Sequence, residues 1–407
     1  MAEAVIVATA RSPIGRAFKG SLAGIRADDL MTQVVQALLD EVPALDPTTV
    51  DDLFVGAWDQ AGEHAENMAR RIAVQLGYDH LPAVMVNRAC ASSVQTARMA
   101  ANAIAAGDGD VFISGGVESI SRYSRQTRVG SGDPDLQNPM FRAAQEVSES
   151  YVDSNETWHD PRTEGQLPDI YLAMGQTAEN VATYCGVTRE EQDAFALASQ
   201  QRAAAAVADG FFAREITPIM LPDGSAVTTD DSPRPSTTAD GLAALKPVFR
   251  AQGTITAGNA CPLNDGAAAV LIMSDVRARE LGLTPLARIV ATAASALSPE
   301  IMGLGPVDAT RRVLAKAGLG VDDIDLFEIN EAFAAQVIPS YRQLGIDPAK
   351  LNVHGGAIAL GHPFGSTGAR IMTTLINGLR SRDEQFGVET MCVGGGQGMA
   401  IVLERLS

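Results

Sequence analysis

The chain has 407 residues, 46% of them hydrophobic and 20% charged, enough to bury a large core and to form two or three domains. A net charge of −18 argues against a nucleic-acid backbone as main partner, because sequence-independent binding needs clustered Lys and Arg to displace counterions. No apolar run reaches about eighteen residues and no basic-then-apolar leader opens the chain, so neither a membrane span nor a signal peptide is expected, and the cytoplasm is the expected compartment. The four cysteines, Cys90, Cys185, Cys261 and Cys392, are far apart and form no C-x-x-C pair. Neither a zinc site nor a disulfide framework follows from them, and reduced thiols are expected.

Along the chain, Ala4 to Pro13 opens as a strand, Asp29 to Asp40 has apolar residues at helical spacing, and Val50 to Phe54 leads to a second strand. Ala83 to Val86 then runs through the Cys90 segment into a helical pattern from Ser92 to Ala106, followed by a strand and glycine turn at Asp110 to Gly116. From Arg122 to Lys246 the texture becomes polar and proline-punctuated, notably at Ser131 to Pro139, Asp153 to Pro168 and Thr228 to Thr238. Two helical patterns interrupt it. One begins near Gln176, and the other runs from Thr188 to about Asp209 behind a Thr-x-x-Glu capping box.

The last third repeats the first. Ala287 to Pro299 matches Ala4 to Pro13, Val307 to Ala317 matches the first helix, Val321 to Phe327 matches Val50 to Phe54, and Gly368 to Arg380 followed by Glu389 to Gly396 matches Ser92 to Gly116. The strands are apolar enough for burial on both faces, so two duplicated α/β domains packed together are expected. The boundaries are 1–121 plus about 247–276 for the first domain, 122–246 for an inserted loop domain and 277–407 for the second.

Four segments carry chemistry. Cys90, in Asn87 to Ser93, stands between an apolar strand and a helix start, where unpaired N–H groups lower a thiol's pKa and bind an adjacent oxyanion. His362 lies in the glycine-rich run Gly355 to Gly368, the equivalent place in the second half, so pseudo-symmetry would bring the two helix starts together and pair a Cys with a His. Cys392 ends a buried strand before Gly394, Gly395 and Gly396. Asn330 and Glu331 follow the matching strand, with Asn330 suited to hold a water. His64, His80 and His159 sit among polar neighbours and read as surface residues.

NRACASS, NEAF, GGAIALGHPFGSTGAR and CVGGGQG, in this order and at these separations, resemble the signatures of the thiolase family. RSPIGRAFKGSL, MGQTAENVA, AFALASQQRA and TAGNACPLNDGAAAV extend the resemblance to nearly the whole chain. It implies a thiolase-like fold, two α/β domains in a five-layered αβαβα arrangement with an inserted loop domain that binds coenzyme A. It also implies an acyltransferase that cleaves 3-ketoacyl-CoA with CoA, or condenses acyl-CoA with acetyl-CoA. Position by position, Cys90 matches the nucleophile, His362 its activating histidine, Cys392 the acid/base thiol and Asn330 the water-holding asparagine. The backbone N–H groups of Cys90 and Gly394 would form an oxyanion hole.

By the same resemblance Arg234 faces the CoA phosphates, and Met174, Ala257 and Cys261 lie near the pantetheine. CoA is then substrate and product, no cofactor or metal is expected, and a homodimer or homotetramer is. Ala173 stands where small-substrate biosynthetic relatives carry His, and Cys261 where Ser is usual. The space left by Ala173 favours a 3-ketoacyl-CoA thiolase of fatty-acid β-oxidation over an acetoacetyl-CoA enzyme. His354, where many relatives have Asn, has no assigned role. A ketoacyl synthase would pair its cysteine with two histidines and lacks a counterpart to Cys392, and a non-catalytic lipid-binding relative would not need all three reactive side chains.

Overall fold

Apolar runs and amphipathic stretches resolve into alternating strands and helices in a computed structural model that describes residues 2–123, 137–152 and 156–407. Parts of the polar stretches at 131–139 and 153–168 therefore lie outside the described residues. The first half supplies β1 (Ala4–Arg11), α1 (Ala27–Asp40), β2 (Asp52–Gly56), α2 (Met68–Gln75), β3 (Ala83–Val86), α3 (Ser92–Ala106) and β4 (Val111–Ser119). The insert contributes α4 (Met174–Cys185) and α5 (Arg189–Ala208), and β5 (Asn264–Ser274) follows it. The second half consists of β6 (Ala287–Ala296), α6 (Gly305–Ala317), β7 (Leu326–Ile329), α7 (Ala334–Leu344), α8 (Thr367–Arg382), β8 (Phe386–Val393) and β9 (Gln397–Arg405).

The repeat read from the sequence is a repeat in strand pairing. In the first half β1 runs antiparallel to β5, β5 antiparallel to β4, β4 parallel to β2 and β2 parallel to β3. In the second, β6 runs antiparallel to β9, β9 antiparallel to β8 and β8 parallel to β7, and an isolated parallel bridge between Phe327 and Leu351 stands where β3 would. β1 and β6 join the halves through Val5 with Arg288 and Ile6 with Ala287.

Three apolar cores define five layers. Leu30, Met31, Val34 and Ile72 of α1 and α2 pack on one face of the first sheet with Leu53, Ile113 and Leu271. A middle core gathers Val94 and Ala97 of α3 and Ile371, Met372 and Leu375 of α8 against strand residues of both halves, including Ile272 and Ile401. Val313 and Val337 of α6 and α7 cover the far face with Phe327, Val388 and Val402. The order is helix, sheet, helix, sheet, helix, and α3 and α8, the helices that follow the Cys90 and His362 segments, share the central layer.

β3 departs from the expectation of burial on both faces, because it ends the sheet and its four residues are partly or fully exposed. α5 opens on the expected capping box, with Glu191 N–H donating to Thr188 Oγ1 at 3.2 Å and Thr188 N–H donating to the Glu191 carboxylate at 2.9 Å. The same helix lies over the second half: Ser199 Oγ donates to Glu331 at 2.6 Å and Gln200 Nε2 donates to the Ile358 carbonyl at 3.3 Å. Glu331 is thus a structural tie, also accepting from Asn352 Nδ2 at 2.8 Å and from Ile358 N–H at 3.1 Å.

Candidate active site

Cys90 sits on a tight turn between β3 and α3. Ala89 adopts φ of 44°, a left-handed conformation that costs a residue with a Cβ about 1–2 kcal/mol. Local hydrogen bonds offset that strain: Ala89 N–H donates to Asn87 Oδ1 at 2.8 Å, and Ser92 Oγ accepts Arg88 N–H at 2.9 Å while donating to the Ala89 carbonyl at 2.7 Å. Arg88 reaches across the halves, its Nη1 donating to Gln397 Oε1 at 2.8 Å. Cys90 remains half-buried. The backbone N–H groups of Gly394 and of Cys90 itself favour its thiolate.

The two helix starts meet as the repeat predicts, with Ala369 N–H of α8 donating to Ser93 Oγ of α3 at 3.0 Å. A Cβ on Gly368 would fall 2.4 Å from Val94 Cγ2, so that approach demands glycine. His362 is buried, and its backbone N–H is held by Asn264 Oδ1 at 3.0 Å. Thr367 Oγ1 gives its single hydrogen to the Pro363 carbonyl at 2.9 Å, so at 2.7 Å from His362 Nδ1 it accepts. The ring proton therefore lies on Nδ1 and Nε2 keeps its lone pair, which receives Asn330 Nδ2 at 3.3 Å. Burial, helped by the Arg370 charge, pushes the imidazole down to about 3, so it is neutral at pH 7.

Asn330 leaves β7 with its N–H on the Thr390 carbonyl at 3.0 Å, and its own carbonyl accepts Gln336 Nε2 at 2.6 Å. Its buried Oδ1 has no partner among the described residues, an acceptor suited to an ordered water. Cys392 is buried in an apolar cluster with Ala178, Met302 and Phe333. Burial pushes its thiol up, and the Cys90 and Cys261 charges push it further. Burial likewise pushes Cys90 up to about 12, against the opposing N–H groups and with a further push from Glu118. The expectation that the helix start would lower this thiol is corrected: desolvation outweighs the terminal N–H groups.

Of the residues expected near pantetheine, Met174 and Cys261 fall near Cys90. A Cβ on Gly394 would lie 3.7 Å from both Met174 Sδ and Ala89 Cβ. Cys261 donates its N–H to the Ala332 carbonyl at 3.0 Å, and burial, helped by the Cys90 charge, pushes its thiol up. Arg234 and Ala257 instead line a cleft of about 220 Å³ with Ser236, Thr238, Gly258 and Pro262. Arg234 forms no salt bridge among the described residues, leaving its charge available to an anion. No helix is long and apolar enough to cross a membrane, and no acid, thiol and histidine group has the make-up of a metal site, among the described residues.

Residues 4–276 match the thiolase N-terminal domain and residues 283–405 the thiolase C-terminal domain. The chain belongs to the thiolase family. Acetyl-CoA acetyltransferase of Pseudomonas aeruginosa is 44% identical over 100% of both chains. Beta-ketoadipyl-CoA thiolase of Escherichia coli is also 44% identical over 100% of both. 3-Ketoacyl-CoA thiolase of Bacillus subtilis is 43% identical, covering 99% of this chain and 100% of its own. The crystal structure of Bacillus anthracis acetyl-CoA acetyltransferase resembles this one with a TM-score of 0.86 at 38% identity, over 100% of this chain and 99% of that one.

This thiolase is thus an acyltransferase, and several side chains that order its site escaped the sequence. Thr367 lies inside the quoted glycine-rich segment, yet nothing in the string tells that its hydroxyl fixes the His362 tautomer. Gln336 and Asn264, which hold the backbones of Asn330 and His362, carry no local signal. His64 corrects an expectation: it is 1% exposed, not a surface residue. Its polar sequence neighbours conceal a ring that packs on Tyr123 at 5.4 Å, faces Asp59 O at 2.9 Å through Nδ1 and accepts Ser119 N–H at 3.3 Å through Nε2. His354 stacks on Phe211 at 3.7 Å, joining the insert to the second half.

Proposed function

We propose that this thiolase works through a Cys90 acyl-enzyme, with His362 as base toward Cys90 and Cys392 as the acid/base at carbon. The observation that carries the reading is the meeting of the two helix starts, where Ala369 N–H of α8 donates to Ser93 Oγ of α3 at 3.0 Å and draws the segment after Cys90 against the segment after His362. In thiolysis, Cys90 sulfur attacks the 3-keto carbonyl of the substrate while its proton passes to His362 Nε2. The C2–C3 bond breaks, its electron pair goes to C2 as the acetyl-CoA enolate, and Cys392 S–H protonates C2. The shortened acyl group stays on Cys90 as a thioester. CoA thiol then attacks that thioester and releases the acyl-CoA, its proton restoring Cys392 while the departing Cys90 thiolate takes its proton back from His362 Nε2. Condensation is the reverse path.

Both thiols hold their protons at neutral pH, which suits this scheme because each proton moves only as the bonding at carbon changes. The N–H groups of Cys90 and Gly394 suit the tetrahedral oxyanion, and a water on Asn330 Oδ1 beside protonated His362 suits the enolate oxygen, each hole contributing several kcal/mol. Neutral-tautomer control predicts that Thr367→Val lowers kcat for thiolysis roughly fivefold, about 1 kcal/mol for one lost hydrogen bond. Steady-state kinetics at saturating substrate check it, and an unchanged kcat contradicts it.

The free Arg234 guanidinium in its cleft, on the loop run that continues to Cys261, supports binding of CoA phosphates there with pantetheine passing Ala257 and Met174. For the acyl group we favour 3-ketoacyl-CoA longer than acetoacetyl-CoA, because Ala173 leaves space beside Met174 and relatives named for beta-ketoadipyl-CoA and 3-ketoacyl-CoA align end to end. The relatives named acetyl-CoA acetyltransferase support the alternative, an acetoacetyl-CoA enzyme. A series of 3-ketoacyl-CoA substrates of increasing length decides between them: kcat/KM should rise beyond four carbons by about tenfold, on the scale of two buried methylenes. A monotonic fall from acetoacetyl-CoA selects the alternative. The exposed edge strand β3, with Val84 37% exposed, supports assembly with a second copy of the chain, which sedimentation reads directly.

A further inference from the structure

Glu118 ends β4 with its side chain wholly buried, and its carboxylate meets loops from both halves of the site. Oε2 accepts Trp58 N–H at 2.9 Å and Gly365 N–H at 2.8 Å, while Oε1 accepts Asp59 N–H at 3.4 Å and lies 3.4 Å from His64 Nδ1. Trp58 and Asp59 follow β2. Gly365 belongs to the loop that carries His362. An ionised carboxylate only accepts, so it suits three converging backbone donors in a way that an amide cannot.

From these donors two short paths lead to the reacting groups. The Trp58 carbonyl accepts Asn87 Nδ2 at 2.7 Å, and Asn87 Oδ1 holds Ala89 N–H at 2.8 Å, next to Cys90. On the other side Phe364 packs edge-on against both His362, at 5.0 Å, and Trp58, at 5.1 Å. The backbones here leave no slack: a Cβ on Gly116 would fall 2.0 Å from the Gly365 carbonyl oxygen, and one on Gly365 would fall 2.6 Å from the Gly56 oxygen.

We propose that Glu118 is a positioning residue for the thiolase reaction, its buried carboxylate locking the Cys90 turn and the His362 loop into one register. The proposal rests on the reading of Cys90 as nucleophile and His362 as its base. It accounts for an otherwise unfavourable placement, since the Glu118 charge raises the Cys90 thiol and would be selected against if it served the thiolate alone.

Glu118→Gln in the full-length protein separates positioning from a purely structural role. The variant keeps its shape, but even with its amide oxygen in the place of Oε2 its NH2 meets Asp59 N–H and His64 Nδ1 donor to donor, so the hold on the two loops weakens while the anion near Cys90 disappears. Expected is a fall in kcat of about 10- to 100-fold with KM within about twofold. At the same time, the pH dependence of iodoacetamide inactivation moves to lower pH, because removing an anion eases thiolate formation. Cys261 and Cys392, the other thiols coupled to Cys90, are unchanged in the variant. A loosened site would also ease thiolate formation by admitting water, so the signature is a thiol easier to alkylate and a slower enzyme whose thermal unfolding stays within a few degrees of the parent.

Glu118→Asp, which keeps the charge but withdraws it by one methylene, should recover part of the Glu118→Gln loss, and it serves alone if Glu118→Gln fails to fold. Wild-type kcat in either folded variant overturns the proposal. So does a loss of kcat in Glu118→Gln without the shift in alkylation. Acyl transfer to Cys90 in the unmodified enzyme, followed by mass spectrometry, is read separately: its absence overturns the nucleophile reading, whereas its presence beside wild-type kcat in the variants overturns only the role of Glu118.

Discussion

Cys90→Ala is expected to lower kcat for thiolysis by on the order of 10⁵- to 10⁶-fold, the loss seen when an enzyme loses the atom that carries its covalent intermediate. The neighbouring groups cannot substitute. Cys392 is fixed in strand β8 with apolar cover, and His362 Nε2 faces Asn330, so neither is placed to hold the acyl chain while acetyl-CoA departs and CoA enters. Folding should survive, because the Cys90 turn is held by Asn87, Arg88 and Ser92 through bonds that do not involve its sulfur. Thermal unfolding within a few degrees of the parent, substrate binding retained and turnover lost is the expected set. A variant that still turns over at a tenth of the parental rate contradicts the nucleophile role.

Cys392→Ala should divide the reaction in two. Acyl transfer from acyl-CoA to Cys90 uses the nucleophile, the Gly394 and Cys90 N–H groups and His362, all untouched by the change, and the departing CoA thiolate is stable enough to leave without the Cys392 proton. Formation or cleavage of the carbon-carbon bond needs a proton moved at C2, and losing a placed acid/base costs about 10²- to 10⁴-fold. The raised Cys392 thiol keeps its proton at neutral pH, as a donor to an enolate must. Removing one sulfur from its apolar pocket costs stability of about 1 kcal/mol, too little to abolish folding. Rapid acylation with stalled carbon-carbon chemistry, followed by quenched-flow product analysis, is the expected outcome, and equal loss of both steps contradicts the division.

The duplicated architecture was legible in the sequence because each half spends its apolar residues in the same order. The segments around β1 and β6, α3 and α8, and β4 and β8 match in the string and take equivalent places in the two halves of the fold. The meeting of the segments that follow Cys90 and His362 was legible too, since equivalent places before α3 and α8 converge once those helices share the middle layer, as the Ala369 N–H bond to Ser93 Oγ shows. What escaped depends on burial across distant segments. His64 stands among Glu63, Ala65 and Glu66 yet folds under Tyr123. β3 has the apolar content of an interior strand and becomes an edge because the second half offers it no neighbour. The helix start at Cys90 promised a lowered thiol, but desolvation by the assembled halves exceeds a few aligned N–H dipoles. Thr367 acquires meaning only once its hydroxyl is seen to spend its hydrogen on Pro363 and to leave an acceptor for His362.

The most direct measurement is peptide mass spectrometry of protein quenched soon after mixing with acetyl-CoA, in the parent and in Cys392→Ala. The predicted result is an acetyl group on the peptide containing Cys90 in both proteins, with none on Cys261 or Cys392. Acetylation of Cys261, or turnover in the parent without modification of Cys90, contradicts a Cys90 acyl-enzyme.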